Sequence, residues 1–109
     1  IEKNRLQSLR KLSSTFGNCW VVLKGTHTLV GRAEGPVYAN ATGNPGLAHG
    51  GSGDVLAGLI GGLIAQPRCQ KELGRSLRLA VWQHGKAADK LQTASNNWTI
   101  EELPDAISI

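Results

Sequence analysis

The sequence contains no methionine, and it opens on "IEKNRL". A bulky isoleucine is a poor substrate for removal of an initiator methionine. Ile1 is therefore not expected to be a natural start, and residues 1–109 are expected to form a single partial domain. Aromatic residues are scarce: three Trp, one Tyr and one Phe. That leaves little on which bases could stack, and the basic residues behind the net charge of +4 never run together as a nucleic-acid arm would. No nucleic-acid partner is expected. The two cysteines, Cys19 and Cys69, lie far apart and fit neither a CxxC metal pattern nor a dense disulfide framework. They read as buried or indifferent thiols in a reducing cytosol, and no cluster of His, Cys and carboxylates marks a metal site. Long hydrophobic runs are missing too. Val55–Ala65, the longest, is too short to span a bilayer, and no signal peptide is visible. The expected setting is cytoplasmic, with no membrane partner.

What is present is glycine, and most of its fourteen copies fall in "GNPGLAHGGSGDVLAGLIGGLIAQ", residues 43–66. Around that stretch the chain alternates between helical and extended patterns. Leu6, Leu9 and Leu12 form one stripe of a helix over residues 2–16, which Gly17-Asn18 stops. "CWVVLKG", residues 19–25, has the β-branched apolar character of a buried strand that wants parallel neighbours. "TLVGR" and "PVYAN" suit a hairpin turning through Ala33-Glu34-Gly35. A glycine-rich loop over 41–51 leads into a helix from about Ser52 to Gln66, ended by Pro67. A further helix is expected from about Lys71 to Thr93, with Leu73, Leu77, Ala80, Val81, His84, Ala88 and Leu91 on its apolar face. Thr99 and Glu102 form a capping box before a last helix, Ile100–Ile107. This order indicates an α/β layer architecture.

A glycine-rich loop opening a helix is a site for anions. The first N–H groups of a helix have no partner within it, the helix dipole adds partial positive charge there, and glycines let that backbone approach a phosphate. Gly50, Gly51, Ser52 and Gly53 fit this role. The spacing matches neither GxGxxG, which would need glycine where Leu56 stands, nor a P-loop. Asp54, the single acid in the run, has two readings. It can favour the helix dipole, or it can serve phosphoryl transfer by taking the proton of an attacking hydroxyl while the N–H groups hold the phosphoryl. Gly58, Gly61 and Gly62 read as structural, letting a neighbouring element pack closely. His84 reads as a satisfied core histidine, and Trp20, Trp82 and Trp98 as core residues.

"VVLKGTHTLV", "TGNPGLAHGGSGDVLAGLIGGLIAQ" and "AVWQHGKAADKL" together resemble the C-terminal half of the NAD(P)H-hydrate dehydratases, repair enzymes of the ribokinase-like superfamily. The resemblance runs from about residue 19 to the C-terminus. GSGD alone is shared with many ribokinase-like kinases. GNPG leading into GGSGDVLAG, downstream of LKG, is the specific part. It implies an α/β fold, the C-terminal part of a three-layer α/β/α ribokinase-like domain. It implies ADP or ATP as co-substrate, with Mg²⁺ arriving on the nucleotide, and hydrated NADH or NADPH as the substrate whose hydroxyl is phosphorylated before phosphate is eliminated. Carried over residue by residue, Lys24, Gly25, Thr26, His27 and Thr28 match the nucleotide-contacting segment and Gly53 the nucleotide-contacting glycine. Asp54 matches the carboxylate that meets the hydrate. The sequence departs from the family at His49, where a small or hydroxylated residue is usual. It also departs in length, since the family's N-terminal half supplies much of the substrate pocket. A homo-oligomer or a missing N-terminal half is the expected remedy. The alternatives are another ribokinase-like small-molecule kinase and a non-catalytic, self-associating half-domain.

Overall fold

The computed structural model describes residues 3–25, 27–48, 51–94 and 97–107, which form two compact units divided after Asn40. In the first, helix α1 (Lys3–Thr15) lies on an antiparallel sheet of β1 (Val21–Leu23), β2 (Leu29–Gly31) and β3 (Tyr38–Ala39) in the order β1-β2-β3. The register pairs Val22 with Val30 and Val30 with Tyr38. Leu9 of α1 meets Val21 and Leu29 at the centre of this unit, with Cys19, Leu23 and Val37 around them. Helix α1 ends on Gly17 and Asn18, both left-handed (φ 80° and 62°), as the glycine-asparagine pair dictates.

The expected hairpin of residues 28–40 is present, but β1 is not the doubly buried parallel strand that its composition indicated. Among the described residues it pairs only with β2, antiparallel, and Val22 and Leu23 are half-buried. The chain turns back within five residues, too short for the helical crossover that a parallel pair requires. Leu12 is also displaced from its expected place in the core: it is exposed, and the position beside it, Ser13, is fully buried. The Ser13 hydroxyl donates to the Cys19 carbonyl at 2.6 Å and accepts the Ala33 N–H at 2.8 Å, so a polar group ties the helix to the end of the sheet where β1 begins and β2 leaves.

The second unit is helical. Helices α2 (Ser52–Ile64) and α4 (Leu73–Ala94) pack along one another, joined through the single-turn α3 (Pro67–Gln70). Pro67 ends α2 as expected, and it also opens α3, because its missing N–H goes unused in a first turn. The apolar face read for α4 is the one that is buried: Leu77, Ala80, Val81, His84 and Ala88. Trp82 lies off that stripe, and instead of entering the core it is 43% exposed, with the Lys86 ammonium 5.4 Å from its ring. The expected last helix is broken into a 3-10 turn (Ile100–Glu102) and α5 (Leu103–Ala106). Pro104 cannot give the N–H bond that would continue an α-helix back to Ile100, and the Leu103 N–H bonds Ile100 instead. Thr99 caps the turn as read, its N–H donating to Glu102 Oε1 at 3.4 Å. Ala87, Ala88 and Leu103 centre this unit's core, with Leu47, Val55, Leu91 and Trp98 packed against them.

Gly58, Gly61 and Gly62 do not serve close packing among the described residues. All three are exposed, and a Cβ added at any of them would meet nothing within 4 Å. Helix α2 presents Leu56 and Leu63 to the core, and the glycines fall on its other side. No described helix is long and apolar enough to cross a membrane.

Candidate functional site

The glycine loop is built residue by residue. Gly43 is left-handed (φ 107°), a conformation that glycine adopts without strain. Its N–H donates to Asp89 Oδ2 at 3.0 Å, and Asn44 Nδ2 donates to Asp89 Oδ1 at 3.1 Å, so one carboxylate on α4 holds the start of the loop. Asn44 Oδ1 then accepts the Gly46 N–H at 2.9 Å and folds the chain into a 3-10 turn, Pro45–Ala48, with Pro45 at its head. A Cβ on Gly46 would lie 2.5 Å from Trp98 Cζ2, so the turn can sit there only with glycine in that place. GNPG therefore encodes a docked turn.

The far end of the loop delivers the chain to α2. Gly51 is its N-cap, left-handed at φ 94°, and no side chain caps the helix. The N–H groups of Ser52, Gly53 and Asp54 thus begin the helix without an internal partner, as the first groups of any helix do. Ser52 is buried and Gly53 half-buried, while Asp54 stands exposed in the first turn. Across from them, His84 of α4 is only 6% exposed. Its Nε2 lies 3.0 Å from the Ser52 carbonyl and 3.4 Å from Ser52 Oγ. A carbonyl only accepts, so Nε2 carries the proton and donates. The core histidine expected from the sequence is therefore buried and hydrogen-bonded, and its partner is Ser52, the first residue of α2. At the next residue, a Cβ on Gly85 would fall 2.2 Å from Thr42 Oγ1 and 2.7 Å from the Thr42 carbonyl carbon. The His-Gly pair lets the loop's start lie against α4 while reaching the loop's end.

The other candidate segment belongs to the first unit and is the β1–β2 connection. Lys24, Gly25 and His27 are exposed and Thr28 is half-buried. His27 Nδ1 lies 3.4 Å from the Asn40 carbonyl, and the Thr28 carbonyl accepts the Asn40 N–H at 2.8 Å. Arg5 Nη2 donates to the Leu23 carbonyl just before the turn. Thr26, His49 and Gly50 lie outside the described residues. Among the described residues no three His, Cys, Asp or Glu side chains gather as a metal site.

Asp89 and Asn44 went unnoticed in the sequence. The available signal was chemical: a Gly-Asn turn with two outward donors needs an acceptor, and Asp89 is the acid between Lys86 and Lys90 on the facing helix.

This chain of helices and short strands has the ribokinase-like architecture, as its likeness to solved structures shows. A solved ribokinase-like superfamily protein from Enterococcus faecalis superposes with a TM-score of 0.69 at 30% identity, over 94% of this chain and 36% of that one. Within that class the family is specific. The family model for NAD(P)H-hydrate dehydratase matches residues 1–108, and the chain belongs to that family. It is 41% identical over 95 residues to the ADP-dependent (S)-NAD(P)H-hydrate dehydratase of Neisseria meningitidis serogroup B, covering 87% of this chain and 31% of that protein. The ADP/ATP-dependent NAD(P)H-hydrate dehydratase of Bacillus subtilis, co-crystallised with ATP/Mg²⁺, matches with a TM-score of 0.81 at 29% identity. That match covers 96% of this chain and 37% of the other. The chain thus spans about a third of the length of these relatives.

Proposed function

We propose that residues 1–109 are one part of a single ribokinase-like domain and supply the nucleotide-binding side of an ADP- or ATP-dependent NAD(P)H-hydrate dehydratase. The observation that carries this reading is the start of α2: Gly51 left-handed, no side-chain cap, and Asp54 in the first turn. The backbone N–H groups of Gly50, Gly51, Ser52 and Gly53 hold the phosphoryl being transferred, where the helix dipole favours negative charge. Asp54 accepts the proton of the substrate hydroxyl as its oxygen bonds phosphorus and the bond to the departing nucleotide breaks. In the second half of the reaction the ring nitrogen's lone pair expels phosphate from the neighbouring carbon. Loss of a proton from the adjacent carbon then restores the dihydronicotinamide. Lys24, Gly25, Thr26, His27 and Thr28 contact the nucleotide. Mg²⁺ enters on the nucleotide phosphates, which suits a loop that offers backbone N–H groups and one carboxylate.

Hydrated NADH or NADPH is the substrate class, and the setting is cytoplasmic. The uncovered glycine side of α2 supports the view that a second copy or an N-terminal half completes the domain. The decisive experiment has two parts. Calorimetry with ADP and with ATP/Mg²⁺ on the 109-residue chain is expected to show saturable binding, and its absence sinks the nucleotide role. In a protein carrying the whole domain, Asp54→Asn is expected to abolish dehydration of hydrated NADPH while leaving ADP affinity within a few-fold. Turnover close to the parent's would leave Asp54 as a dipole partner only.

A further inference from the structure

Both ends of the glycine loop are held by one helix. Asp89 of α4 takes the Gly43 N–H and the Asn44 amide where the loop begins, and His84 of the same helix donates to the Ser52 carbonyl where it ends. We infer that His84 is a positioning residue for the anion loop, fixing the first turn of α2 from outside, with Asp89 as the second anchor. The inference rests on the nucleotide-binding reading above and adds the element that sets the loop's geometry.

Three observations carry it. First, no capping side chain fixes the start of α2. Its N-cap is Gly51, which offers no side-chain acceptor to the first-turn N–H groups. Second, the bond from His84 is not needed to satisfy the Ser52 carbonyl, which as a helical residue already accepts from Leu56. Its consequence is placement: a buried imidazole on a long, packed helix holds the peptide that leads into Gly53 and Asp54. Third, the neighbouring glycine is required by the same geometry, since a Cβ on Gly85 would strike the backbone of Thr42 at the loop's start. A histidine that merely filled the core would have no need to reach this carbonyl, and an apolar side chain of similar size would replace it without consequence for ligand binding.

The test uses the 109-residue chain with His84→Leu and His84→Gln, read by ADP calorimetry and by backbone amide exchange. Leucine keeps the bulk and loses the donor. Glutamine carries an amide nitrogen at about the reach of Nε2. The expected result is about tenfold weaker ADP binding for His84→Leu, the size of one lost hydrogen bond's worth of preorganisation, with recovery to within about threefold in His84→Gln. Parental ADP affinity in a folded His84→Leu protein overturns the inference. Where His84→Leu does not fold, His84→Asn takes its place: it is as polar as glutamine but too short to reach Ser52. Weak binding by Asn with recovery by Gln supports positioning, and equal behaviour of the two overturns it. Where the parent chain itself fails to bind ADP, the functional reading falls but the inference is still decided. Amide exchange at Val55 and Leu56, which bond back to Gly51 and Ser52, is expected to quicken in the variant that lacks the donor, and unchanged protection refutes it.

Discussion

Replacing Gly85 with alanine sets two known effects against each other inside one helix. In an exposed helix interior, glycine to alanine stabilises by roughly 0.5–1 kcal/mol, because alanine surrenders less backbone freedom on folding. At Gly85 the added methyl would lie 2.2 Å from Thr42 Oγ1, 2.8 Å from its Cβ and 2.7 Å from its carbonyl carbon. The hydroxyl can swing aside, giving up its 3.1 Å bond to the Trp82 carbonyl. The carbonyl carbon cannot, because the next residue is held by Asp89. Overpacking against fixed atoms costs about 1–3 kcal/mol, and the backbone clash places Gly85 at the upper end. Set against a helix gain of about 1 kcal/mol, the net is a loss of about 2 kcal/mol.

Gly61→Ala is the internal reference: also helical, but with open space at the methyl position. It is expected to stabilise by roughly 0.5–1 kcal/mol. Urea unfolding followed by circular dichroism reads both, and a 2 kcal/mol loss lowers the midpoint by about 1 M or more for slopes of 1–2 kcal/mol/M. If Gly85→Ala is as stable as Gly61→Ala, the close approach of Thr42 to α4 is wrong, and with it the account of why His84 is followed by glycine. The measurement is made at several protein concentrations. A Gly61→Ala gain that turns into a loss as concentration rises reports a second copy seated on the glycine side of α2.

Gly46→Ala is expected to destabilise the second unit by about 1–3 kcal/mol, because its methyl meets Trp98 and Asn44; quenching or shift of the Trp98 indole signal checks whether the turn has moved. Ser13→Ala removes both hydrogen bonds of the hydroxyl, to the Cys19 carbonyl and from the half-buried Ala33 N–H, and is expected to cost about 1–3 kcal/mol, read as faster amide exchange across β1 and β2 with the α4 amides unaffected. Asp89→Leu removes the acceptor for both the Gly43 and Asn44 donors, and the expected outcome is early proteolytic cutting within residues 41–48, ahead of any loss of α4 helicity.

Much of this architecture was readable because its signals are local. The stripe of α4 falls where a 3.6-residue period places it, the hairpin follows its turn residues, and Gly17-Asn18 stops α1 by backbone conformation alone. The start of α2 was readable for the same reason: a glycine before an apolar helix, with an acid in the first turn, needs no distant partner. What escaped depends on contacts between distant residues. Whether Val21–Leu23 is paired parallel or antiparallel is decided by where its partner strand lies, and β-branched composition is the same in both. Trp82 and Trp98 are the same residue type, yet one is half exposed under a lysine while the other walls in Gly46. Asp89 lies 46 positions from the amide that it holds, and no spacing rule reaches that far.

Glycine shows the limit most clearly, because it is defined by what it lacks. At Gly43 and Gly51 the missing Cβ permits a left-handed backbone; at Gly46 and Gly85 it makes room for an indole ring and a threonine backbone. A sequence cannot tell these reasons apart, since in each the side chain is simply absent. Gly58, Gly61 and Gly62 fit neither reason among the described residues. In an exposed helix each forgoes roughly 0.5–1 kcal/mol relative to alanine, so three in one helix of thirteen residues amount to about 2 kcal/mol with nothing visible to offset it. From Val55 to Ile64 α2 carries no polar side chain, which is the character of a helix covered on more than one side. On the reading proposed above, the two facts together mark the surface that a covering partner would meet. It is the bare side of the helix whose first turn carries Asp54.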